Sequence, residues 1–154
     1  MPSIALYEPE IPPNAGNVAR LCAATASPLH LIGRLGFSFR HPGARRAGMD
    51  YWDQVDPHRH LNFDEFQRVV GPARIWGFST HSARDLWSAD FQEGDVLLFG
   101  PESRGLPPEL LARLEPRTLR IPMVAAARSL NLATAVAIGL YESLRQIGRF
   151  PCSP

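Results

Sequence analysis

The stretch FGPESRGL, residues 99–106, decides how this chain is read. It completes an apolar run, Val96, Leu97, Leu98 and Phe99, of the kind that makes a strand buried on both faces. The run then breaks into two glycines, a proline, an acid, a hydroxyl and an arginine. Parallel α/β sheets bind ligands beyond the carboxyl ends of their strands, so a loop this rich in backbone freedom is a candidate ligand loop. Gly100 and Gly105 suit close backbone approach or positive φ. A plain glycine-rich turn has the same composition, so the stretch by itself leaves both readings open.

Outward from this strand, the chain alternates short apolar runs with helical patterns. Ser3–Tyr7 and Leu29–Ile32 read as strands, as do residues 74–79 and 118–121. Residues 8–13, EPEIPP, are expected to be neither helix nor inner strand, because each proline removes a donor and restricts its predecessor. Asn14 is then the expected cap of a helix running to about residue 26. Asn62, with Glu65 three residues on, marks the start of another helix that ends before Gly71 and Pro72. A short helix is expected near Pro107 and Pro108. The longest runs over residues 131–147, with Leu132, Val136, Leu140, Leu144 and Ile147 on one stripe, and Ser129 or Asn131 is placed to cap it. This alternation predicts an α/β domain on a largely parallel sheet, and with no internal repeat or linker to divide it the chain reads as one domain over residues 1–154.

Composition narrows the setting. Of 154 residues 45% are apolar and 20% charged, as in soluble globular proteins. No apolar run is long enough to span a bilayer and no signal peptide is recognisable, so a cytoplasmic protein with no membrane partner is expected. Two cysteines, Cys22 and Cys152, make neither a disulfide framework nor a zinc spacing. The net charge is only +1, but residues 11–49 hold no acid while carrying Arg20, Arg34, Arg40, Arg45 and Arg46. Residues 116–141 are also acid-free and carry Arg117, Arg120 and Arg128. Every cation is arginine, whose planar fork grips phosphate at two points. Segregated arginines on a near-neutral chain fit a local anionic footprint such as RNA, or equally a solvated face with dispersed ion pairs.

Familiar nucleotide signatures are absent. The turn after the first strand lacks G-x-G-x-x-G, and no phosphate-loop NTPase sequence occurs. His58 and His60 share a face if extended, but no third ligand stands at metal spacing, so no metal is expected. No G-x-S-x-G elbow supports a serine hydrolase.

Three blocks carry a resemblance. NAGNVAR (14–20), FGPESRGL (99–106), and IPM (121–123) with SLNLA (129–133) resemble the three motifs of the SPOUT-class RNA 2′-O-ribose methyltransferases, in the same order and over nearly the whole chain. The entry LYEPEIPPN (6–14) is similar to the tRNA (cytidine(34)-2′-O)-methyltransferase branch, whose members have no added RNA-binding domain. The resemblance implies a SPOUT trefoil-knotted α/β fold, although connectivity rules alone favour no knot. It implies S-adenosyl-L-methionine as cofactor, the tRNA anticodon stem-loop as substrate, and a homodimer whose sites are lined by both subunits. It assigns Phe78, Gly100, Ile121 and Ser129 to the cofactor and Arg20 to catalysis. Alternatives are a knotted methyltransferase acting on another RNA site, or a non-catalytic RNA-binding factor that kept the fold.

The chemistry leaves two roles for Arg20. The resemblance nominates it to activate the ribose hydroxyl, yet a guanidinium ordinarily keeps its proton far above neutrality. As a cation it would clamp an RNA phosphate and stabilise negative charge as it develops on oxygen. Leu98, Ile121 and Met123 are the expected apolar walls of the cofactor pocket. Glu102 is expected to shape its own loop by accepting from nearby backbone donors. Arg40, Arg45 and Arg46 are candidates for tRNA phosphates.

Overall fold

The computed structural model describes residues 1–37 and 55–149. Its centre is a six-stranded sheet in which every pairing is parallel. The strands are β1 (Ser3–Tyr7), β2 (Leu29–Ile32), β3 (His58–His60), β4 (Ile75–Phe78), β5 (Val96–Phe99) and β6 (Thr118–Leu119), in the spatial order β3-β2-β1-β5-β4-β6. From β1 the chain first runs outward to β2 and β3, then returns on the other side, so the order reverses between β1 and β5. Such a reversal opens a crevice at the strand carboxyl ends.

The strands are apolar throughout because the sheet is covered on both sides. Along β5, Leu97 and Phe99 face one layer while Val96 and Leu98 face the other. The same period of two divides Ile4 and Leu6 from Ala5 on β1, and Trp76 and Phe78 from Ile75 on β4. The first layer is completed by helices α1 (Pro12–Thr25) and α4 (Leu132–Gln146) through Val18, Cys22, Val136 and Leu140. The second is completed by α2 (Phe63–Val70) and α3 (Pro108–Leu114) through Phe66, Leu110 and Leu114. Gly77 admits α3 against β4, since a Cβ there would lie 2.7 Å from Leu114 Cδ1.

The start of α1 corrects the expectation from the prolines. Pro12 and Pro13 occupy its first two positions, where their missing N–H groups have no intrahelical partner to lose. Asn14 is therefore not the cap; Ile11 is, without a side-chain hydrogen bond. Asn14 is instead buried in the first turn and its amide is used elsewhere. Asn62 caps α2 as expected, accepting from Glu65 N at 2.9 Å, while the Glu65 carboxylate reaches back to Leu61 N. Of the two candidates for α4, Asn131 is the cap. β4 and β6 are shorter than their sequence spans: Ser79 has left the sheet, and Arg120 makes only an isolated bridge to Asp85.

β3 had no strand signal, being three residues at the sheet edge. Its His60 is buried and its Nε2 lies 3.0 Å from Nδ1 of His30 on β2, with the Phe66 ring edge-on to both. Burial, and secondarily the neighbouring imidazoles, push His30 down to about 4. Desolvation lowers His60 as well. Among the described residues no cluster of histidine, cysteine or carboxylate side chains is arranged to hold a metal ion. No helix among them is long and apolar enough to cross a membrane.

Candidate cofactor site

A cavity of about 740 Å³ opens where β4, β5 and β6 end. Three loops build it: residues 78–81 after β4, residues 99–106 after β5, and residues 119–132 between β6 and α4, with Ile11, the cap of α1, and Asn14 in its first turn closing one side. Phe99, Leu106, Ile121 and Met123 give it apolar walls, and Ser79, Thr80, Ser103, Ser129 and Arg128 supply polar groups. Concave, partly apolar volumes of several hundred cubic ångströms are the usual form of small-molecule sites. Leu98 is not a wall, contrary to expectation. The pleat turns it into the opposite layer with Ala5 and Ile32, and Phe99 takes the place at the cavity.

The two glycines of the opening stretch do different work. Gly105 has φ +70°, a conformation that side chains resist, and its N–H donates to Pro101 O at 2.8 Å to close the turn. Gly100 is constrained by proximity: a Cβ there would lie 2.3 Å from Leu106 N and 2.4 Å from Gly105 C. The loop is packed against itself, and Gly100 is the point of contact.

A reciprocal clasp holds that loop to the start of α1. Glu102 accepts from Glu10 N at 2.8 Å, Ile11 N at 3.1 Å and Asn14 Nδ2 at 3.1 Å. Its partners are the donors leading into the helix rather than those of its own loop. In the other direction Glu10 accepts from Ser103 N at 3.0 Å and Ser103 Oγ at 2.8 Å. These bonds, the side-chain one foremost, hold the Glu10 carboxyl below the usual carboxylate range. Arg104 bridges Glu8 at 2.6 Å and Glu10 at 2.9 Å.

Four of the residues named from the sequence meet here: Phe78, Gly100, Ile121 and Ser129 all line the cavity. The Phe78 ring is chiefly core. It stacks on Phe99 at 4.4 Å between centroids, and a Cβ on Gly139 of α4 would lie 2.9 Å from its Cζ. Arg20 is not among the lining residues. It stands on the exposed side of α1, whose buried face carries Asn14, Val18, Ala19 and Cys22. Arg40, Arg45 and Arg46 lie outside the described residues. Asn14 and Glu102 are the parts whose role sequence reading missed. Their only sequence signal is membership in two separate blocks, and nothing local says that the blocks touch.

Comparison with known proteins places the chain. It matches the SpoU rRNA Methylase family over residues 1–141. The chain belongs to that family. Among curated relatives, a tRNA (cytidine(34)-2′-O)-methyltransferase of Aeromonas hydrophila is 48% identical over 149 residues, covering 96% of each chain. A solved structure described as "Structural insights into the 2-OH methylation of C/U34 on tRNA" is 53% identical and superposes with a TM-score of 0.89 over 95% of both chains. An AdoMet-bound rRNA methyltransferase of Sinorhizobium meliloti, 31% identical, superposes with a TM-score of 0.81 over 94% of this chain and 56% of its own. In this SpoU family member the resembling blocks at 99–106 and 121–133 fall on the cavity, and the block at 14–20 begins on its wall at Asn14.

Proposed function

We propose that this chain is a tRNA methyltransferase that moves a methyl group from S-adenosylmethionine to the ribose 2′-oxygen of the wobble nucleotide, position 34, a cytidine or a modified uridine. The supporting observation is a match over 96% of both chains to a relative named tRNA (cytidine(34)-2′-O)-methyltransferase, with the resembling blocks gathered around one cavity. The cavity fits the cofactor: it has room for a nucleoside, apolar walls for a flat base, and polar groups at its rim. Phe78, Gly100, Ile121 and Ser129 are the residues assigned to hold it.

S-adenosylmethionine, when bound, supplies an electrophilic methyl carried on a sulfonium. The chain's own work is positioning, because an in-line approach held in a partly dry site removes much of the barrier. In the transfer the bond from the methyl carbon to sulfur would break as its bond to the ribose oxygen forms, leaving a neutral thioether. The hydroxyl proton would pass to water, so negative charge builds on that oxygen during attack. Arg20 meets that charge as a fixed cation and holds the adjacent phosphate, a role that does not require it to take the proton.

Arg20 stands outside the lining of the chain's own cavity, and the reading therefore includes a homodimer in which each cavity receives the partner's arginine. Ile11 and Leu130 support it: both line the cavity and both are exposed, by 44% and 36%, at a rim that a second subunit would cover. The reading further includes one catalytic domain, a trefoil knot in which the C-terminal segment threads through a loop, and action in the cytoplasm on the anticodon stem-loop.

Purified protein mixed with methyl-labelled S-adenosylmethionine and unmodified tRNA tests the function. Label in the ribose of nucleotide 34, mapped by mass spectrometry, is the expected result. RNA binding without transfer would replace the enzyme by a binding factor, and label elsewhere would move the site. Arg20→Ala is expected to lower turnover at least about a hundredfold while cofactor affinity stays within about threefold of wild type.

A further inference from the structure

Three polar residues of the cavity lining, Asn131, Asn14 and Glu102, form a directed chain of side chains. Asn131 Oδ1 accepts from Ala133 N at 2.9 Å and Thr134 N at 3.3 Å, which fixes the orientation of its amide. Its Nδ2 therefore faces outward and donates to Asn14 Oδ1 at 2.8 Å. That contact orients the second amide in turn, and Asn14 Nδ2 donates to Glu102 Oε1 at 3.1 Å. The carboxylate ends the chain by accepting from Glu10 N and Ile11 N, the donors that lead into α1. Neither amide can flip without setting like groups face to face.

This path joins segments 117 and 88 residues apart in sequence, and Asn14 is its middle link. Asn14 is only 7% exposed. A buried hydrogen-bonded amide contributes little net stability over a well-packed apolar side chain, so what it adds is direction and register. Arg20 lies six positions further along the same helix, roughly 9 Å along its axis at 1.5 Å per residue. A shift of the helix start is carried to Arg20 because a helix moves as a rigid body over that distance.

We propose that Asn14 is a positioning residue, which ties the setting of α1, and hence of Arg20, to the two loops that close on the cofactor. The proposal rests on the methyltransferase reading. It predicts that breaking the link misplaces Arg20 without emptying the cavity.

Asn14→Asp keeps the acceptor facing Asn131 but sets an oxygen against the Glu102 carboxylate. Its kcat is expected to fall about thirtyfold, with the calorimetric Kd for S-adenosylmethionine changed less than about threefold. Asn14→Asp combined with Glu102→Gln replaces two facing carboxylates by a donor opposite an acceptor. The new amide nitrogen takes the place of Oε1, which also accepts from Ile11 N, so a partial recovery of about threefold in kcat over the single variant is expected. Asn14→Ala, which adds no charge, is expected to show the same split between kcat and affinity should the aspartate variant fold poorly. Unchanged kcat in the single variants overturns the proposal. So does a parallel loss of kcat and cofactor affinity, or no recovery in the double variant. Wild-type protein run alongside separates the two ideas: its failure to transfer a methyl group overturns the methyltransferase reading and this proposal with it.

Discussion

At the scale of single residues, Gly100 has no room for a side chain. The atoms a Cβ would strike are backbone, at 2.3 and 2.4 Å, and backbone in a closed loop cannot swing aside as a flexible side chain does. Gly100→Ala is therefore expected to destabilise the protein by about 2 kcal/mol and to weaken cofactor binding about tenfold or more. Urea unfolding and calorimetry check the two effects, and a variant as stable as wild type would show that the loop relaxes freely. The glycine was visible in the sequence, but the reason for it was not. A motif reading expects it to approach a ligand, whereas the contact that forbids a side chain is with its own loop. Asn14 teaches the same lesson, since an asparagine ahead of a helical pattern reads as a cap. Only the meeting of residues 14, 102 and 131 reveals an amide held from both ends.

Elements were legible where their signal was long or chemically sharp. The apolar runs of β1, β2 and β5 lie where the sequence places them, because strands buried on both faces need nearly continuous hydrophobicity. The prolines that open α1 misled: proline excludes a helix interior but is well tolerated at the first helical positions. β3 escaped notice because three residues cannot display a period. Its contribution is the imidazole pair with β2. Burial leaves the folded protein holding fewer protons there than the unfolded chain, whose histidines titrate near about 6.5. The stability from neutral His30 is thus complete above that pH and is lost as pH falls from about 6.5 towards about 4, by up to about 3 kcal/mol. Denaturant titrations at intervals across this window should show that slope, and His30→Phe should flatten it. An equally steep slope in the variant would assign the loss to the carboxylates instead.

At the scale of the whole molecule, the question is how many chains make one site. If the partner supplies Arg20, two separately inactive variants should complement each other. Arg20→Ala retains a sound cavity, and Ile121→Arg, with its cavity obstructed, retains a sound Arg20. Mixed and allowed to exchange subunits, they should recover about one quarter of wild-type turnover, since half the dimers then carry one intact site of two. No recovery, with heterodimers demonstrated by native mass spectrometry, would place the arginine in the cavity of its own chain. The amino-acid sequence by itself determined the alternation of strands and helices, the covering of both sheet faces, and the three blocks that mark the family. These follow from residue type and short-range spacing, which act along the chain. The tertiary structure alone decided that Leu98 turns away while Phe99 faces the cavity, that Glu102 serves the start of α1, and that Arg20 stands clear of the pocket beside it. Those outcomes depend on the strand order, which brings residues scores of positions apart into hydrogen-bond range, and no local pattern encodes a distance across the fold.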